Sequence, residues 1–341
     1  MAKLRNIAKA ARISRGVKQL NAKKLGHSEV TISPVIMGTW QAGKKGWVGI
    51  EDDEVISAIK SGYEAGITTV DTAEIYGNGY SEKLVAKALS DVRDKVTYAT
   101  KAFANHLAAD KIVKACEDSL KRLETDRIDL YQIHWPAGSF NSDIVPIEET
   151  MGALVKLKEE GKIRAIGVSN FSKAQLEEAL QYGRIDSIQP PYSLFWRQVE
   201  EEIMPFCVEE NISILAYSSL AQGLLTGKFG PDHEFPEDDI RSKNKLFKGE
   251  TYQAAQKALD ELRPIAEKYE TSLGCLAIAW LTDQPQTCAI VGARNTQQAQ
   301  ENAKAKDIQL SSEDIEKIDA IGRTVTDRLD ENPVMWNFEN L

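Results

Sequence analysis

Residues 128–136 read Ile-Asp-Leu-Tyr-Gln-Ile-His-Trp-Pro. Ile128, Leu130, Tyr131 and Ile133 give this run the length and the β-branched and aromatic content of a buried strand. Pro136 stops it, because proline has no N–H to offer a ladder. His134 therefore sits where a strand finishes. Upstream, Ala109 to Leu123 carries helical spacing, and this pairing of helix and strand recurs on both sides. Asp52 and Asp53 are placed to cap a helix bearing Val55, Ile56, Ile59 and Tyr63 on one face; Gly66 ends it and a strand follows over Ile67 to Val70. Further pairs are expected at Ser81–Leu89 with Val96–Ala99, Ile147–Glu160 with Ile163–Val168, Lys173–Tyr182 with Ser187–Gln189, and Val199–Glu209 with Ile212–Tyr217. Helices over about 251–269 and 273–282 precede a strand at Cys288–Val291, and two more follow at 296–305 and 312–321.

With the buried run from Val35 to Trp40, these make eight short strands separated by helices, and no Gly-rich linker divides them. Such alternation implies a parallel sheet, and the count favours closure into a single α/β domain, a (β/α)8 TIM barrel. Lys24 to Ser33, with Gly26, reads as an N-terminal β-hairpin; an extra C-terminal helix and a tail complete the expected domain over 24–341. The segment Gly230 to Gly249 is charged and broken by Pro231 and Pro236, which marks a surface loop or lid. Gly77-Asn-Gly-Tyr-Ser-Glu lacks the last glycine of a dinucleotide fingerprint and does not join a strand to a helix in the required way, so a Rossmann domain is discounted.

The 341 residues carry a net charge of −9, which argues against nucleic acid or an anionic membrane as a partner of the body. Residues 1–23 form a basic arm, with Lys3, Arg5, Lys9, Arg12, Arg15, Lys18 and Lys23 and no acid before Glu29. It reads as a solvated arm or a targeting segment, and it lacks the apolar core of a secretory signal. No apolar run reaches membrane-spanning length. Cys116, Cys207, Cys275 and Cys288 are scattered without metal-ligand or redox spacing, which excludes an evident metal site and points to reduced thiols in the cytoplasm, with organelle import through the arm left open. Monomer and homo-oligomer are equally compatible with the sequence.

In a barrel of this kind the reacting groups belong at the strand ends. The second strand ends in Asp71 and runs into Tyr76; the third leads to Lys101, the fourth to His134. A carboxylate, an ammonium, an imidazole and a phenol thus meet at one rim. A phenol is a poor acid near neutrality, its ordinary pKa being about 10. Lys101 is expected to lower it, with Asp71 holding Lys101 charged. A neutral His134 can orient a carbonyl towards Tyr76. This is a site for protonating an oxygen as charge develops on it, and a hydride donor would complete a reduction.

These residues resemble the aldo-keto reductases. The matches are Asp-Thr-Ala-Glu-Ile-Tyr-Gly at 71–77, Lys101 after Tyr98-Ala-Thr, Ile-His-Trp at 133–135, Gly-Val-Ser-Asn-Phe at 167–171, Gln189, Ala-Tyr-Ser-Ser-Leu at 216–220 and Gly-Ala-Arg-Asn at 292–295, spanning about Lys24 to Arg323. The resemblance implies a barrel that binds NADPH (NADP+) across the strand ends and reduces an aldehyde or ketone, with Tyr76 as general acid assisted by Asp71, Lys101 and His134. It implies that Gly38, Thr39 and Trp40 border the cofactor, that Ser169, Asn170 and Gln189 hold the nicotinamide carboxamide, and that Tyr217 stacks on the ring. Ser218, Leu220, Gly223 and Lys228 would follow the diphosphate. Gly292, Arg294, Gln298, Glu301 and Asn302 would surround the adenosine end, with Arg241 over the 2′-phosphate. Residues 292–295 depart from the Lys-Ser pattern of animal members and resemble bacterial, plant and channel-associated branches.

Trp40, Trp135, Phe195 and Trp196 fall in loops near the rim and are candidates for the walls of an apolar substrate pocket, closed by Trp336 and Phe338 of the tail. The alternative is an NADPH-binding regulatory subunit of the potassium-channel β type, which shares this barrel. A glycosidase would need a second carboxylate at the rim, which the sequence does not supply.

Overall fold

The computed structural model describes residues 22–45, 47, 49–237, 239–330, 332 and 335. The first 21 residues of the basic arm, and Trp336 and Phe338, lie outside that set. Ten strands are present among the described residues. β1 (Lys23–Lys24) and β2 (Thr31–Ile32) form an antiparallel hairpin. The barrel strands are β3 (Val35–Gly38), β4 (Thr69–Asp71), β5 (Thr97–Ala102), β6 (Ile128–Ile133), β7 (Ile163–Ser169), β8 (Ser187–Gln189), β9 (Ser213–Ala216) and β10 (Thr287–Gly292). They close in the order β10-β3-β4-β5-β6-β7-β8-β9, every pair parallel. The eightfold barrel read from the alternation is therefore the fold.

The hairpin plugs one end. Leu25, Val30 and Ile32 cluster with interior residues Ile36, Ala99, Leu130, Ala165 and Leu215. Thr97 Oγ1 donates to the Thr31 carbonyl at 2.8 Å, and Ser33 N–H donates to Thr69 Oγ1 at 2.9 Å, both where strands begin. The opposite rim, where the strands finish, is left for chemistry.

Local chemistry moves several boundaries. The helix at Asp52–Glu64 has Glu51 as its N-cap residue and no side-chain cap; Asp52 and Asp53 lie in its first turn, where acids favour the helix dipole, and Asp52 pairs with Lys44 at 2.7 Å. The helix expected from Val199 is divided into a 3-10 turn at Gln198–Glu200 and a helix at Ile203–Glu209. Pro205 explains the break: it fits a first helical turn and has no N–H to continue an earlier helix. The segment 230–249 folds into 3-10 turns at Ile240–Lys243 and Lys245–Phe247, anchored by the buried Asn244 and Leu246, and forms a strap beside the strand ends. No helix among the described residues is long and apolar enough to cross a membrane.

Candidate active site

At the strand-end rim a cavity of about 1090 Å³ opens. The end that holds Asp71, Tyr76, Lys101 and His134 is built on β4, β5 and β6. β5 continues to Ala102, so Lys101 projects from the strand into the barrel, where it is fully buried. Its Nζ donates to Asp71 Oδ1 at 2.6 Å and to the Thr72 carbonyl at 2.8 Å, and lies 5.2 Å from the centre of the Tyr76 ring. Asp71 Oδ2 accepts from Gln189 Nε2 at 2.9 Å and Gln132 Nε2 at 3.2 Å. Four strands thus converge on one carboxylate.

Two glycines let the Tyr76 loop sit against the loop after β3. A Cβ on Gly43 would lie 2.6 Å from the Tyr76 carbonyl carbon, and one on Gly77, whose φ is +62°, would lie 2.6 Å from the Gly43 oxygen. His134, one residue beyond β6, is buried edge-on to Tyr76 with centroids 5.6 Å apart. The rim expected from residues 71, 76, 101 and 134 is a single cluster.

Its electrostatics correct one expectation. Burial pushes the Tyr76 phenol well above its ordinary pKa, and the charge of Asp71 adds to the shift. No net lowering results: desolvation of the phenolate outweighs the nearby Lys101, and Tyr76 is held protonated. Burial pulls Lys101 down, opposed by Asp71. His134 is driven well below its ordinary value by burial and then by Lys101, so its imidazole is neutral.

Gly38, Thr39 and Trp40 line the cavity beside β10, together with Ser169, Asn170, Gln189 and Tyr217. Asn170, at φ +60°, donates from Nδ2 to the His134 carbonyl at 3.1 Å and to Ser169 Oγ at 3.0 Å, and accepts from Tyr217 OH at 3.0 Å. Further along lie Ser218, Leu220, Gly223 and Lys228, then Arg241, Gly292, Arg294, Gln298, Glu301 and Asn302. Ala221, Gln222 and Gly223 run in succession through positive φ, a tight turn in which the Ala221 and Gly223 N–H groups donate to the Ser218 and Leu220 carbonyls at 2.7 and 2.9 Å. Lys228, Arg241 and Arg294 make this end cationic. Burial and then Arg241 and Arg294 lower Lys228; burial and then Arg241 lower Arg294, opposed by Asp239, which pairs with Arg241. The helix Thr296–Lys304 starts here, capped by Asn295.

Trp40 and Trp135 are cavity walls, but Phe195 and Trp196 are wholly buried in the core and are not among them. Their loop folds inward because Ser193 and Trp196 exchange backbone hydrogen bonds in a tight bridge. Phe103, Phe140 and Trp47 take those wall positions instead. Gln132 is a further site residue; its signal was a polar side chain inside an apolar strand.

A family model described as the aldo/keto reductase family matches residues 34–323. The chain belongs to the aldo/keto reductase family. As a member it is an oxidoreductase of the carbonyl-reducing class. It is 34% identical to the NADH-specific methylglyoxal reductase of Escherichia coli, over 85% of this chain and 94% of that protein. Among solved structures, the glycerol dehydrogenase AKR11B4 from Gluconobacter oxydans superposes with a TM-score of 0.84 at 35% identity, covering 92% of this chain and 99% of that one. An aldo-keto reductase from Klebsiella pneumoniae in complex with NADPH gives a TM-score of 0.72 at 27% identity, covering 93% and 99%.

Proposed function

We propose that this reductase converts an aldehyde or ketone to an alcohol with NADPH, Tyr76 being the proton donor. The observation that carries the reading is the cationic end of the cavity joined to the Asp71–Tyr76–Lys101–His134 cluster. Lys228 and Arg294 face the cavity with no carboxylate ion pair among the described residues, an arrangement that repels itself until an anion arrives. A dinucleotide with a 2′-phosphate fits: Arg294 and Arg241 would hold that phosphate, Lys228 and the loop of 218–223 would lie along the diphosphate, and Asn170, Ser169, Gln189 and Tyr217 would hold the nicotinamide. When bound, NADPH supplies the hydride.

The protein's own part is proton delivery. His134, neutral, donates a hydrogen bond to the substrate oxygen and aims it at Tyr76. The phenol, kept protonated by burial, passes its proton to that oxygen as negative charge appears there. Lys101 lies beneath the ring and stabilises the phenolate left behind, while Asp71, fixed by Gln132 and Gln189, keeps Lys101 in position. The catalytic rather than the channel-regulatory reading is favoured because every member of this cluster is present and connected.

Consumption of NADPH with a panel of aldehydes, measured for wild type and Lys101→Met, tests the proposal. The expected result is turnover by wild type and a loss of at least about a hundredfold in the variant, with NADPH affinity retained. Tight NADPH binding without turnover of any carbonyl by wild type would contradict it.

A further inference from the structure

We infer that the site selects carbonyl compounds borne on an aromatic or alicyclic ring, and that Phe140 makes the selection. This rests on the carbonyl-reductase reading and names the substrate class within it.

The first observation is where apolar surface is left bare. Among the described residues the exposed large apolar side chains are Ile75, Phe140, Ile144 and Tyr182. Ile75 and Phe140 both line the cavity, Ile75 adjoining the proton donor Tyr76. Ile144 belongs to the same loop as Phe140, with its Cγ1 3.5 Å from the Cβ position of Gly138. Bare apolar surface gathered at a cavity mouth marks contact with an apolar ligand.

The second is backbone strain. Phe140 has φ 56° and ψ 37°, a left-handed conformation unfavourable for a bulky side chain. The loop enforces it: Gly138 N–H donates to the Asp143 carbonyl at 3.2 Å and to Ser142 Oγ at 3.1 Å, and Ser142 N–H donates to the Ser139 carbonyl at 3.1 Å. Phe140 contributes nothing to the hydrophobic core. What the strain secures is the ring's place between Trp135, 5.2 Å away and perpendicular, and Phe103, 5.3 Å away.

The third is continuity with the reacting groups. Phe103 packs edge-on to His134 at 5.7 Å, and its N–H is held at 2.7 Å by Glu74 from the loop that carries Tyr76. An aromatic wall therefore runs from His134 through Phe103 to Phe140. A flat ring attached to the carbonyl meets this wall when the oxygen is at Tyr76, whereas a small hydrophilic aldehyde reaches only Tyr76 and His134.

The test compares kcat/KM for benzaldehyde and methylglyoxal in wild type, Phe140→Ala, Phe140→Asn and Phe140→Trp. Taking the ratio between the two aldehydes, and then between proteins, cancels their intrinsic reactivities. Phe140→Ala is expected to lower the benzaldehyde to methylglyoxal ratio about tenfold or more, through KM. Phe140→Asn, which suits the left-handed backbone but lacks the ring, is expected to lower it equally, and Phe140→Trp to keep it. Quenching of tryptophan fluorescence by the unreactive benzamide should show the same order of affinity, with unfolding temperatures near wild type. A ratio unmoved in Ala and Asn would overturn the inference alone; no turnover of either aldehyde by wild type would overturn the reductase reading beneath it.

Discussion

Two arginines, both drawn out of water, show how a structural network differs from a binding site. Arg197 is buried and fully answered. Its Nε and Nη2 donate to Glu200 at 2.7 and 3.0 Å, Nη2 also reaches Asp319 at 3.2 Å, and its guanidinium lies 4.9 Å from the Trp280 ring centre. Trp280 Nε1 donates to Asp319 and Tyr192 OH to Glu200, closing the network between the loop after β8 and the helices 273–282 and 312–326. Burial would lower the Arg197 pKa, but the two carboxylates carry it above its ordinary value. Arg294 is partly buried, stands 5.4 Å from the Trp47 ring centre, and is lowered by burial and by Arg241 against a weaker pull from Asp239. A satisfied cation ties elements together; one without a carboxylate ion pair, beside others of its sign, suits the anion-holding role proposed for Arg294.

The contrast breaks most sharply at Arg197. Arg197→Met takes the buried cation from Glu200 and Asp319 and is expected to cost about 3 kcal/mol in denaturant unfolding, the low end for a broken buried pair because Glu200 keeps Arg323 at 3.3 Å and Asp319 keeps part of its surface in water. Turnover per folded molecule should stay at the wild-type level. Arg294→Leu is expected to behave in the opposite way. Its unfolding midpoint should hold or rise as repulsion with Arg241 and Lys228 is relieved, while NADPH affinity falls roughly 10- to 100-fold and NADH affinity scarcely changes. Equal losses for NADPH and NADH would show that Arg294 reads something other than the 2′-phosphate.

The smallest effect is on pH dependence. Burial favours neutral His134 and neutral Tyr76. In the unfolded chain the histidine takes up a proton below pH 6.5 and the tyrosine loses one above pH 10.0, while in the folded protein both changes are displaced outward. These two groups therefore reduce stability only as pH falls below 6.5 or rises above 10.0. Between those limits their protonation in the free enzyme is constant, and kcat/KM for reduction should vary less than about twofold on their account. A full titration step near pH 8 would mean that Lys101 outweighs burial at Tyr76.

The barrel could be read from the sequence because a buried parallel strand and an amphipathic helix each leave a local pattern, and their repetition leaves few topologies. The helix break at Pro205 was also local, and visible in principle. The acid cluster was readable for a similar reason: strand ends share one rim, so Asp71, Lys101 and His134 meet whatever the loops do. The direction of a loop aromatic has no such local signature. Phe195 and Trp196 turn into the core because of a bridge between Ser193 and Trp196, and Phe140 turns towards the cavity because its loop holds it left-handed. The direction of the Tyr76 shift was hidden too, since it depends on how deeply the ring is buried rather than on which residues lie nearby.

Tyr76→Phe removes one hydroxyl and little else. Its single-turnover rate of carbonyl reduction, measured alongside its NADPH affinity, is the most direct test. Proton donation by Tyr76 predicts a rate lower by at least about a thousandfold with NADPH affinity within about threefold of wild type. Reduction at the wild-type rate would contradict it.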